Sequence, residues 1–276
     1  MNNRNPRTWN WFGGVAGWLW LAIIIIPIYF VFVTSFKTTS TYFGSNPLAL
    51  PAPFTFDNYV RVVEANFIGY LVNSVIVVIG TVGPLLIFAF MAAYAIVRGE
   101  GRLIRFVQRG FLLGLAIPVQ ATIVPVYLLI ITMHMYDSLP ALMLPGIAFG
   151  LPLSILILAN FIRDIPNELF ESMSLDGCTE WQKLWRLAFP MTQPALVTVA
   201  VYQALLSWNG FLFPLILTQS PGKRTLPLAL WAFQGEYATD IPVVLAAVVL
   251  TLAPILVLYA FGRRYLVSGM TAGVGK

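Results

Sequence analysis

Charged side chains are scarce in this sequence. Asp, Glu, Lys and Arg make up 10% of its 276 residues, while 59% are hydrophobic. A water-soluble domain of that size has too few polar groups here to cover its apolar surface, whereas a bilayer covers it directly. Cysteine and histidine occur once each, as Cys178 and His134. One cysteine excludes an internal disulfide, and the pair excludes a Cys/His zinc cluster. With its only histidine in or beside an apolar run, the chain assembles no Ser/His/Asp set. The phosphate-binding loop is missing too, since Gly222-Lys223 is followed by Arg224 and lacks the upstream glycine. The sequence reads as a membrane part, and hydrolysis of a nucleotide is not expected of it.

What is present is a series of charge-free windows: Gly13–Phe36, Phe67–Val97, Gly110–Tyr136, Ser138–Ile162, Leu187–Gly222 and Ile241–Gly262. A spanning helix needs about 20 apolar residues, so each window is long enough. The sequence predicts an all-α integral membrane protein, one domain over residues 1–276, with six spans near 13–36, 67–97, 110–136, 138–162, 189–218 and 241–262. The first window follows Arg4 and Arg7 but outruns a signal core, and no small-x-small cleavage site follows it, so it is expected to be retained as a span. Prolines punctuate the windows, among them Pro27, Pro84, Pro118, Pro145, Pro152 and Pro254. Each frees a carbonyl that protein or water must satisfy.

Six spans place both termini on one side. That side carries 12 of the 16 Lys and Arg, in the tails and in the 98–109 and 163–186 segments; the other side has only Lys37, Arg61, Lys223 and Arg224. The positive-inside rule then puts both termini in the cytoplasm. On the outer side, Lys37–Ala65 reads as a looped hairpin, with Asn46-Pro47 and Pro51-Ala52-Pro53 as turns, and 221–240 as a second loop. The net charge of +5 is explained by this sidedness, and no nucleic-acid partner is implied.

The cytoplasmic segment 163–188 has the most structured chemistry. Pro166 and Glu168 suit a helix start, and Leu169, Phe170 and Met173 share a face. Asp176-Gly177 supplies a stop, because glycine accepts the left-handed conformation that ends helices. Thr179 and Gln182 fit a capping box for a second helix, on which Trp181, Leu184, Trp185 and Ala188 form an apolar stripe. By itself this describes an amphipathic helix pair with an elbow, and such a pair also suits the headgroup layer.

The string Glu171-Ser172-Met173-Ser174-Leu175-Asp176-Gly177, followed by Phe189-Pro190 and Pro194, resembles the "EAA" loop of bacterial ATP-binding-cassette (ABC) importer permeases. Glu171, Asp176 and Gly177 match that pattern, and Ser172 and Met173 replace its two alanines. Trp208-Asn209, Leu226-Pro227, Phe233-Gln234-Gly235, Thr239-Asp240, Arg263-Arg264-Tyr265 and Gly269-Met270-Thr271-Ala272-Gly273 are similar to the carbohydrate-uptake branch, the six-span partner subunit of maltose-type systems in particular.

The resemblance implies the binding-protein-dependent permease fold in a prokaryotic inner membrane. It implies a second homologous permease subunit, two ATPase subunits that hold ATP and Mg, and an extracytoplasmic solute-binding protein; no cofactor is expected on this chain. Its coupling residues would be Glu171, Ser172, Met173, Leu175, Asp176, Gly177, Trp181 and Leu184, and its binding-protein contact loop would include Pro221, Gly222, Lys223, Gln234 and Tyr237. Intramembrane amides suit an uncharged, hydroxyl-rich solute, so Asn73, Gln120, Asn160, Gln203 and Asn209 are candidates for the solute path, although such amides also hold helices together. The expected cargo is a sugar or oligosaccharide, with glycerol phosphate or another polyol derivative as the alternative. A secondary transporter or channel is more remote, since no window carries Asp, Glu, Lys or Arg.

Overall fold

A backbone inside hydrocarbon has only itself to bond with, so long apolar runs become helices. The computed structural model describes residues 11–232 and 240–272, and beyond Val257 the backbone alone. Every regular element among the described residues is helical. In chain order these are α1 (Trp11–Thr34), α2 (Thr39–Gly44), α3 (Asp57–Glu64), α4 (Phe67–Arg98), α5 (Arg102–Gly114), α6 (Ile123–Thr132), α7 (Pro140–Arg163), α8 (Asn167–Leu175), α9 (Glu180–Lys183), α10 (Phe189–Trp208), α11 (Leu212–Leu217), α12 (Leu226–Ala232) and α13 (Ile241–Ala272). Short 3-10 turns cover Val119–Thr122 and Pro221–Lys223, and a π turn, Leu184–Ala188, joins α9 to α10 without a break.

Three described helices are long and apolar enough to cross a membrane: Gly13–Thr34, Phe67–Arg98 and Pro140–Arg163. The window at 110–136 is not one straight helix. Its first part belongs to α5, which starts earlier, at Arg102, and the chain then turns by 98° before the helix that follows. Gly114 and Pro118 flank this break, and proline cannot donate the hydrogen bond that would carry the helix through it. The window at 189–218 is also divided: α10 ends at Trp208, and α11 begins only at Leu212.

The chain divides into two compact units. In the first, residues 1–66 with 232–252, the 37–65 segment folds around a fully buried Lys37. Its ammonium donates to the carbonyls of Asn46 and Pro47, both at 3.0 Å. The Asn58 amide donates to the carbonyls of Ser35 and Lys37 at 2.9 and 2.8 Å, and Phe36 stacks on Phe54 with ring centroids 4.6 Å apart. Arg61 and Asp240 form an ion pair at 2.7 Å.

In the second unit, 67–231 with 253–276, α4 packs along α7 and both meet α10. Small residues allow the close approach. A Cβ on Gly146 would lie 2.8 Å from the Thr81 methyl, and one on Gly150 would strike Leu85. Leu85, Ala89, Phe90, Leu158, Ala195 and Val199 are among the residues that fill the core between these helices.

Candidate functional site

The elbow at 163–188 is built as its sequence predicts. Asn167 opens α8 with Pro166 just before it, one residue earlier than a first-turn proline. At the far end, the Cys178 amide donates to the Met173 carbonyl at 2.9 Å, and the Gly177 amide donates to that of Ser174 at 3.0 Å. This pair of bonds is a Schellman closure, and it requires the left-handed φ of +76° seen at Gly177. The next helix starts at Thr179. The Thr179 hydroxyl accepts from the Gln182 amide, and the Gln182 side chain accepts from the Thr179 amide, completing the capping box. The π turn then precedes Pro190, whose ring would crowd the carbonyl one turn back in a regular helix, so the wider turn relieves that clash.

Two side chains of α4, Arg98 and Tyr94, fasten the elbow to its end. The Arg98 guanidinium donates to Asn167 at 2.8 Å and lies over the Phe170 ring at 4.2 Å, a cation–π contact. The Tyr94 hydroxyl donates to Glu180 at 2.8 Å. Lys183, itself buried, donates to the same carboxylate at 2.6 Å. The Lys183 and Tyr94 donors hold the Glu180 carboxyl below its ordinary range. None of these five polar groups stands out in the sequence. Only the i,i+3 spacing of Glu180 and Lys183 could have signalled them.

The expected coupling residues separate into two sets. Leu184 and Ala188 are buried in the chain's own core, and Trp185 packs on Phe90 and Phe189, so three of the four stripe residues face inward. Leu175 is 90% exposed and Trp181 58% exposed, with Leu169 also open. Glu171, Ser172 and Asp176 lie on the exposed surface beside them, and Met173 is half-buried.

At the opposite end of α4, up to roughly 32 Å from Tyr94 at 1.5 Å per residue, Asn73 meets the 218–226 segment. Its amide donates to the carbonyls of Gly222 and Arg224, both at 2.9 Å, and the Ser74 hydroxyl accepts from the Leu226 amide at 2.8 Å. On the other flank the Asp137 carboxylate accepts the amides of Gln219 and Ser220, at 2.8 and 3.0 Å, and the Ser220 hydroxyl. That hydroxyl first, then the two amides, lowers the Asp137 carboxyl below its usual range. Pro221, Gly222 and Lys223 sit exposed at the tip of this doubly held segment. Gln234 and Tyr237 lie outside the described residues.

The remaining solute-path candidates do not converge. Gln203 is buried and donates to Gly150 and Ser154 of α7, at 3.2 and 2.9 Å. Asn209 donates to the Leu205 carbonyl as α10 ends. Asn160 accepts from Arg163, and both it and Gln120 are exposed. Of the five, Gln203 borders a cavity of about 440 Å³ between α4, α7, α10 and α11, together with Thr81, Phe149, Ser207, Phe213 and Thr225.

Comparison with known proteins agrees with these features. An ABC transporter permease protein, ORF2, of Caldicellulosiruptor sp. (strain Rt8B.4) is 41% identical over 258 residues, which is 94% of each chain. The diacetylchitobiose uptake system permease protein NgcG of Streptomyces coelicolor is 32% identical, over 92% of this chain and 85% of its own. A crystal structure of a bacterial ABC transporter for alginate import superposes with a TM-score of 0.79 at 22% identity, over 92% of this chain and 96% of the other. Residues 85–271 match the family described as the binding-protein-dependent transport system inner membrane component. The chain belongs to that family, the multi-pass permease subunits of ABC transporters, whose ATPase is a separate subunit.

Proposed function

We propose that this permease carries a neutral sugar or oligosaccharide across a prokaryotic inner membrane by alternating access, driven by separate ATPase subunits docked on the 163–188 elbow. The observation that carries this reading is the fastening of the elbow to α4. Arg98 grips α8 and Tyr94 grips α9, so both arms of the elbow are tied to one helix of the core. Exposed Leu175 and Trp181 offer apolar anchors for a cleft in an ATPase, while Glu171 and Asp176 fix register.

The complete machine comprises a second homologous permease subunit, two ATPases holding ATP and Mg, and an extracytoplasmic binding protein. The elbow and both termini face the cytoplasm, where most of the Lys and Arg lie. The 218–226 segment, at the far end of α4, faces the binding protein. The diacetylchitobiose cargo named for a relative supports a saccharide.

The test is co-purification of the ATPase with this chain and its permease partner, using Leu175→Asp and Trp181→Asp. A charge at either anchor is expected to abolish recovery of the ATPase while the two permeases stay assembled. Undiminished recovery with both changes overturns the docking assignment.

A further inference from the structure

We infer that the 37–65 hairpin is a lipid anchor, its apolar side set into the headgroup–acyl boundary of the bilayer beside the C-terminal end of α1. The inference goes beyond the transport reading and requires only that α1 crosses the membrane.

The hairpin inverts the polarity of a loop that faces water. No Asp, Glu, Lys or Arg occurs from Thr38 to Phe56. The cation just before this stretch, Lys37, is fully buried, and the carbonyls of Asn46 and Pro47 close over its ammonium. A lysine this close to the end of a span ordinarily stretches its ammonium towards the headgroups. Here the charge is wrapped inside and apolar side chains are turned out. Phe43 and Leu50 are each 73% exposed, and Leu48 and Phe54 are open as well.

Helix α3 has the same sidedness. Phe56 at its cap, Val60 and Val63 follow at i, i+4 and i+7 and form one exposed apolar edge. Asp57, Arg61 and Glu64 form the neighbouring exposed edge, while Asn58 and Val62 are buried. A helix that shows one apolar and one charged edge lies along an interface, with lipid on one side and water on the other.

The position of the hairpin identifies what covers it. Inside α1, the Tyr29 hydroxyl donates to the Leu48 carbonyl at 3.1 Å. From Tyr29 to the end of α1 at Thr34 is about 8 Å at 1.5 Å per residue, so the turn at Leu48 folds back that far along the span. Amphipathic elements reach roughly 5–10 Å into the headgroup–acyl boundary. The apolar window of α1 buries none of its residues in the chain. The open side of the hairpin therefore continues a surface suited to lipid. The ring contacts of Phe36 with Phe54 and Phe56 add the aromatic belt expected at that level.

Spin labelling of the full complex in liposomes of phosphatidylcholine and phosphatidylglycerol tests the anchor. Cys178 is the only cysteine, so Cys178→Ser is the background for Leu50→Cys, Val60→Cys and Glu64→Cys. Oxygen partitions into lipid and nickel ethylenediaminediacetate into water. Nitroxides at positions 50 and 60 are expected to collide several-fold more with oxygen than with the nickel complex, and a nitroxide at 64 the reverse. Excess nickel contact at 50 and 60 means that water covers the face and overturns the anchor. Protection there from both reagents, or a change on adding the binding protein, means that protein covers it and overturns the anchor equally.

A second measurement needs no substitution. A phosphatidylcholine with a diazirine near the top of its acyl chain is photolysed with the unaltered complex, and adducts are located by mass spectrometry. Adducts are expected both on α1 and on residues 48–56. Adducts on α1 alone overturn the anchor.

Discussion

The Tyr94 hydroxyl donates to the Glu180 carboxylate across 2.8 Å, joining the last turns of α4 to the first turn of α9. Lys183 reaches the same carboxylate from the other side, so a single carboxyl group receives both the core helix and its own helix. Tyr94→Phe removes the inter-helix bond and keeps the ring against Phe170. Hydrogen bonds to charged groups contribute about 1.5–3 kcal/mol in general, but the Glu180 side chain is 65% exposed; solvent screening brings the expected loss to about 1 kcal/mol. The ratio of solute imported to ATP hydrolysed is expected to fall, measured in proteoliposomes of the full complex. An unchanged ratio shows that force does not pass through this bond.

Gly177 separates backbone conformation from packing. A Cβ there would meet nothing within 4 Å, so any penalty arises from the left-handed φ of +76° alone. Gly177→Asn, which tolerates that region, is expected to remain close to wild type, whereas Gly177→Ala loses roughly 1–2 kcal/mol. Thermal melting of the purified complex reads the difference. Equal melting of the two variants would show that the Schellman closure is not needed.

Asn73 is expected to act through the 218–226 segment. Asn73→Ala frees the Gly222 and Arg224 carbonyls, which water can reach, so global stability changes by less than about 1 kcal/mol. Hydrogen exchange at residues 222–226 is expected to accelerate, and ATP hydrolysis stimulated by the binding protein to fall several-fold. If exchange rises but stimulation stays at the wild-type level, this segment has no part in recognising the binding protein.

Acid should release the other flank of that segment. The Asp137 carboxyl has a lowered pKa in the folded chain, so its stabilisation is fully present above the ordinary aspartate value of about 3.9 and is lost as pH falls through the lowered one. Between neutral pH and about 5 the tie is expected to hold. Proteolytic cutting near Ser220 should then increase only in stronger acid, and Asp137→Asn should show the increased cutting at every pH. A pH-independent wild type would contradict the assignment.

Local chemistry was the part of this molecule most legible in the sequence. Gly177 and the Thr179–Gln182 pair specify their turn and cap with neighbours only a few residues away, and both form as expected. The windows that became α1, α4 and α7 were equally plain, because freedom from charge over 20 residues leaves little but a helix. The same criterion hid the bend inside 110–136, since it registers partition into lipid and is blind to whether the ladder of backbone bonds continues past Gly114 and Pro118. It also missed that α5 starts at Arg102, where its arginines can lie along one helix face. Asn73 suggested a solute contact as an amide in an apolar run, yet its partners are carbonyls some 150 positions away. Tyr94 and Arg98 carried no signal for the same reason: their pairing with the elbow exists only once α4 and the elbow are folded together.

From Glu180 to Trp208 the chain is helical at every residue, passing through the π turn without a gap. This stretch is a rod about 43 Å long at 1.5 Å per residue, with the exposed Trp181 near one end and Gln203 and Ser207, on the cavity wall, near the other. A rod amplifies rotation into travel. A tilt of about 5° about one end carries the other through about 4 Å, more than the width of a water molecule. Under the proposed docking, small rotations imposed at the elbow would become displacements large enough to open or shut a passage for solute.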